Sequence, residues 1–227
     1  MTTLDALLDA VMTLISTPSV VPILQLNSNT KERAFEAYVF CLAVAAVRRA
    51  TGEVEVHGAT SGVNPSTIVF RGGPGNMGST AQDFCYAKCT LGRKTFEIHV
   101  DVTYIGTSGA AHEIDVSLYD AVAADAVRRT PNMQPSARAL RCAFECKFYD
   151  SKLGTALGRA FQGLVADCGS LASKNFVTNG QSEQLARYFS AKGRPDVYFH
   201  VSPILDAHAE RLISNLEQAL RKWAAIP

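Results

Sequence analysis

Neither sign of charge is in surplus in this sequence: 22 lysines and arginines face 21 aspartates and glutamates, a net +1 with histidine neutral. That excludes gripping a polyanion through overall charge, so such a partner must meet a local patch. Long apolar runs are also missing. None approaches the ~20 residues that span a bilayer, so no membrane partner is expected. The opening MTTLDALLDAVMTLI has no basic start and carries two aspartates, which reads as an amphipathic helix and not as a secretory leader. An internal repeat is absent, and so is any helix-turn-helix or zinc-finger pattern. The six cysteines (Cys41, Cys85, Cys89, Cys142, Cys146 and Cys168) sit mostly among apolar neighbours. They fit reduced thiols in a cytoplasmic protein better than a disulfide scaffold.

What is present is an ordinary globular composition, 47% apolar and 19% charged, over a length that suits one domain. The spacing predicts helices over 3–16 and 30–50, the second with Phe35, Tyr38, Val39, Leu42, Ala43 and Ala46 at helical intervals. Phe96, Ile98, Val100, Val102 and Tyr104 alternate with Glu97, His99, Asp101 and Thr103, the period of a strand. GTSGA turns the chain, and HEIDVSLYD returns with Ile114, Val116 and Leu118 on one face. A strand around CAFECKFYD, a helix over 151–168, strands at 175–178 and 196–204, and helices over 182–193 and 207–225 complete the pattern. This describes an α/β fold, a central mixed sheet flanked by helices. Residues 1–29 read as an N-terminal helical extension, 30–205 as the core and 206–227 as a C-terminal helix.

CAFECKFYD sets Glu145 and Lys147 two residues apart on an apolar strand. Such residues share a face, roughly 6.5–7 Å apart. Burying charge there is costly without a partner or a metal. The plainest reading is a salt bridge on a solvated face. The cysteine pairs at 85/89 and 142/146 have a spacing seen in zinc sites, but Cys142, Phe144 and Cys146 line one strand face, so small core residues are the better reading. RGGPGNMGS (71–79) lacks the Lys-Ser/Thr ending of a P-loop and reads as a flexible loop over a groove or at a subunit contact. The five histidines show no metal-ligand spacing.

Asp115 on the returning hairpin strand, followed by Glu145-x-Lys147 on the next strand with helices before and after, resembles the PD-(D/E)XK nuclease superfamily. The proline of the family's name is replaced by Ile114, and the interval from Asp115 to Glu145 is longer than in the tightest members. The resemblance implies a restriction-endonuclease-like core and a metal-dependent endonuclease that hydrolyses DNA phosphodiester bonds in restriction, phage defence or repair. It implies Mg²⁺, with Mn²⁺ able to substitute, held by Asp115, Glu145 and the Cys146 carbonyl. Lys147 would orient or deprotonate the attacking water or stabilise phosphate charge, with its pKa lowered by burial and metal. The helix preceding the hairpin offers Glu36, or Glu32 one turn earlier, as a further site acid. Gln162 resembles a glutamine that some branches place beside the site. Lys152, Arg159, Arg141 and Arg138 belong to a run of basic residues suited to phosphate contacts. A homodimer is expected, since duplex cleavage needs two sites, with an accessory specificity or activator protein as a further partner. The alternatives are a catalytically inactive nucleic-acid-binding or structural protein of the same fold, and an unrelated α/β enzyme in which ECK is a salt-bridged strand.

Overall fold

A sheet whose strands are apolar on both faces must be covered on both, and this chain supplies helices for each. In the computed structural model, which describes residues 2–15, 23–26, 30–149, 153–191 and 193–226, the fold is α/β with a central mixed sheet of eight strands. The strands are β2 (Glu53–Gly58), β3 (Gly62–Val63), β5 (Cys85–Leu91), β6 (Lys94–Ile105), β7 (Ala111–Asp120), β8 (Leu140–Lys147), β9 (Ser173–Thr178) and β10 (Asp196–Tyr198). Their order is β10-β9-β8-β7-β6-β5-β2-β3; β8, β9 and β10 run parallel and the other pairs antiparallel. Two further strands, β1 (Ile23–Leu26) and β4 (Thr67–Phe70), pair in parallel beside it.

Helix α2 (Lys31–Arg49) begins at Thr30, whose hydroxyl accepts the Arg33 amide at 3.4 Å. It is buried on nearly every side because it lies between the sheet and two covering helices, α1 (Leu4–Ile15) and α6 (Asp206–Ala224). A Cβ at Gly52 would stand 2.7 Å from Val47 Cγ1, so only glycine lets the chain leave α2 this close to the sheet. The opposite face is covered by α3 (Ala121–Arg129), α4 (Thr155–Ala166) and α5 (Glu183–Phe189). All six cysteines are free and buried, as small core residues. No helix of the described residues is long and apolar enough to cross a membrane.

Two expectations change. Residues 1–29 hold a strand, β1, as well as α1. Strands β2 and β5, which the patterning did not single out, widen the sheet beyond the hairpin. The residues that alternate with the apolar ones on β6 are buried too: Glu97, His99 and Asp101 are 1%, 4% and 2% exposed, because helices cover both sides. The apolar residues of β6 also divide. Phe96, Ile98 and Val100 pack beneath α2, whereas Val102 and Tyr104 pack on the α4 side. The change falls at Asp101, which has φ +51°.

Candidate active site

The β7–β8 ladder ends at the pair Val116↔Phe144, while β8 stays paired with β9 as far as Lys147↔Thr178. Where β7 leaves β8, the backbone amide of Cys146 needs another acceptor. Asp115 Oδ2 takes it at 2.7 Å. The same oxygen accepts from Lys147 Nζ at 3.2 Å, and Nζ also reaches Glu145 Oε1 at 2.6 Å. The fork between two strands thus brings Asp115, Glu145 and Lys147 together, half-buried.

On the other side of β7, regular pairing with β6 resumes on both sides of Asp101, at Val100↔Val116 and Val102↔Ile114. The left-handed backbone at Asp101 sends its carboxylate towards α2, into contact with Arg33. Glu36, on α2 and 7% exposed, meets it there. One carboxylate oxygen each from Glu36, Asp101 and Asp115 lies within 4.8 Å of the others. Arg33 Nη1 bonds two of the three acids, Glu36 Oε2 at 2.7 Å and Asp101 Oδ2 at 2.8 Å.

The glycine-rich loop completes the surroundings of Asp101. Strand β5 pairs with β6 only as far as Ile98, and beyond it the Gly75 amide donates to the Asp101 carbonyl and the Thr103 amide to the Gly75 carbonyl, each at 3.0 Å. Arg71 is buried beneath this loop with its guanidinium 4.1 Å from the centre of the Phe84 ring. Burial lowers its pKa to about 10.

Burial, and then the like charges confined here, shift the acids upward. Burial, then the neighbouring Asp101 and Asp115, raises Glu36 to about 8 against the pull of Arg33. Burial raises Asp101 to about 6, with Arg33 opposing and Asp115 adding to it. Glu145 is raised by burial and by Asp115, with Lys147 opposing. Burial alone would lower Lys147, but Asp115 and Glu145 outweigh it and hold the ammonium above its ordinary value. The expectation of a lowered Lys147 pKa is therefore reversed among these contacts.

A carboxyl raised on folding contributes stability below its unfolded pKa, and the contribution is lost as pH rises through its folded value. Without metal, the protein should lose stability from the ordinary carboxylate range up through about 6 for Asp101 and about 8 for Glu36. In thermal melts in EDTA between roughly pH 5 and 8, Glu36→Gln should show a flatter decline than wild type. Parallel declines would remove Glu36 as the cause.

Of the other residues singled out in the sequence, Cys146 contributes its amide to Asp115; Glu145 is outside the three-acid group but joined to Asp115 through Lys147. Glu32 is exposed. Gln162 lies on α4 with a buried Oε1 that has no hydrogen-bond partner among the described residues. Arg159 is exposed on the same helix, and Lys152 falls outside the described residues. Arg138 and Arg141 are not beside the acids. Arg141 is six residues before Lys147 on β8, roughly 20 Å at strand rise. It lines a separate cavity of about 670 Å³ with Lys222 and Trp223. The run of basic residues is thus not one strip: Arg128 is spent on the buried Glu97, which also bonds His99 at 2.9 Å on the sheet's other face.

Asp101 and Arg33 went unrecognised in the sequence. The one available signal was an aspartate, a poor strand former, in the middle of the β-branched run IHVDVTY. With this geometry in hand, the chain matches no family model, no curated protein and no solved structure.

Proposed function

We propose that this chain is a metal-dependent endonuclease of the PD-(D/E)XK kind, cleaving DNA phosphodiester bonds in restriction, phage defence or repair. The observation that carries the reading is the clustering of Glu36, Asp101 and Asp115 oxygens within 4.8 Å beside a lysine bonded to both Asp115 and Glu145. The order α2-β6-β7-β8-α4-β9, with the acids and lysine on α2 and the three consecutive strands, supports the resemblance stated for Asp115 and Glu145-x-Lys147.

The donor set fits Mg²⁺ or Mn²⁺, hard cations that take carboxylate oxygens. Glu36, Asp101 and Asp115 would hold the ion, and a divalent cation would offset both the burial of Glu36 and Asp101 and their repulsion with Asp115. A bound Mg²⁺ would supply a more acidic water and charge for the phosphate oxygens. The chain's own groups do the rest. Lys147, held as an ammonium by Asp115 and Glu145, donates to a phosphate oxygen or orients the attacking water. Glu145, whose carboxyl burial and Asp115 shift upward, is the group that would accept the proton of that water. Duplex cleavage calls for two such sites, hence a homodimer, with sequence choice left to an accessory protein.

The test is cleavage of plasmid and single-stranded DNA with Mg²⁺, Mn²⁺ or EDTA. We expect cutting that stops in EDTA and falls at least about 10²-fold in Lys147→Ala, with the circular dichroism spectrum unchanged. Cutting that survives EDTA or the substitution would sink the reading. Nucleic-acid binding without cutting under any metal would favour the inactive, binding-only alternative.

A further inference from the structure

We infer that Arg33 is a built-in counter-cation that competes with a divalent metal ion for the carboxylates of Glu36 and Asp101, so that metal binding expels its guanidinium. This rests on the metal site proposed above and specifies how that site is held when no metal is bound.

Arg33 Nη1 lies 2.7 Å from Glu36 Oε2 and 2.8 Å from Asp101 Oδ2, a single nitrogen bridging two of the three clustered acids. An ion that coordinates both of those oxygens at ~2.1 Å takes the same two acceptors that the nitrogen holds now. The two occupants exclude each other on steric grounds and, being both cations, on electrostatic ones. A counter-charge is needed because three carboxylates this close, two of them almost fully buried, cannot all stay ionised unpaired. Arginine suits the task, since it keeps its proton at any working pH.

The exit route is also present. Arg33 lies in the first turn of α2 with its side chain 25% exposed, against 9% and 2% for its two partners, so the guanidinium enters the site from the solvent side. Across from it, a Cβ added to Gly73 would still be 3.9 Å from Nη2, so the glycine-rich loop does not clamp the side chain. A flexible stem can carry the head back to water. The third acid of the cluster, Asp115, is held by the Cys146 amide and Lys147 and has no bond to Arg33 among the described residues. A metal ion can therefore be met first at Asp115 before the guanidinium leaves.

The experiment compares wild type with Arg33→Met, which keeps the stem and removes the charge. Mn²⁺ affinity is read by calorimetric titration without nucleic acid, and thermal stability is read in EDTA. We expect Arg33→Met to bind Mn²⁺ at least about tenfold more tightly, to melt lower in EDTA, and to gain more from added Mn²⁺ than wild type. Equal or weaker Mn²⁺ binding by the variant overturns the competition while leaving the metal site standing. Mn²⁺ binding by neither protein removes the metal site and the inference together. Should the variant not fold, the Arg33 side-chain ¹⁵N resonances of the wild type decide. Release on Mg²⁺ titration supports expulsion, and resonances that stay in the bonded position refute it.

Discussion

Asp101→Asn is expected to lower metal-dependent cleavage by at least about 10²-fold, more than the loss caused by removing a group that merely orients a metal ligand. The substitution is unusually clean. Asparagine has the shape of aspartate and tolerates the left-handed backbone that Asp101 adopts at φ +51°, so the turn of the strand towards α2 should persist. Only the charge is lost, together with one of three clustered anionic oxygens. The metal-free variant should be no less stable than wild type, because the like-charge burden on Glu36 and Asp115 is relieved. Weaker Mn²⁺ binding, lower kcat/KM on plasmid DNA and a melt in EDTA no lower than that of wild type would together assign Asp101 to the site. Near-normal cleavage would confine the chemistry to Asp115, Glu145 and Lys147.

The largest expected loss of stability lies on the other face of the sheet. Glu97 is 1% exposed, accepts from both terminal nitrogens of Arg128 (Nη2 at 2.7 Å) and pairs with His99 Nε2 at 2.9 Å. Tyr86 stacks on His99 with centroids 5.1 Å apart, and the Arg128 guanidinium lies 4.5 Å from the centre of the same ring. Burial would raise Glu97, but the bonds from His99 and Arg128 overcome it and hold the carboxyl below its ordinary value. Glu97→Ala leaves a guanidinium and an imidazole buried without their acceptor, which costs roughly 3–5 kcal/mol. For a chain of this length that is a fall in melting temperature of about 10 °C. Circular dichroism melts of Glu97→Ala and Arg128→Ala, with the double variant, measure it. A double loss equal to the sum of the singles would show that the pair does not act as a unit.

Much of the fold was legible because its signals are local. The period-2 run from Phe96 to Tyr104 and the helical spacing from Phe35 to Ala46 are properties of short segments, and both elements stand where those signals put them. GEVEVHG, between two glycines, carried a readable strand alternation that was passed over, and it became β2. Asp115, Glu145 and Lys147 could be proposed as neighbours because consecutive antiparallel strands set them side by side. Asp101 could not. Its place in the alternation put it on the wrong side, and one backbone dihedral reversed that. Arg33 carries no local signal, because the pairing that defines it crosses 68 residues of sequence. Burial of Glu97 and His99 likewise depended on α3, whose packing no single strand records.

The outermost strands of the main sheet are only three residues long at β10 and two at β3. Within the sheet, the stretch of β6 that β5 leaves uncovered is occupied by Gly75. The unpaired backbone rows of β10 and β3, which could invite a neighbouring chain to add its own strand, are thus kept to a few residues. A strand added edge to edge by a neighbouring chain would gain only two or three residues of pairing at β3 or β10, too little ladder to drive the sheet to grow.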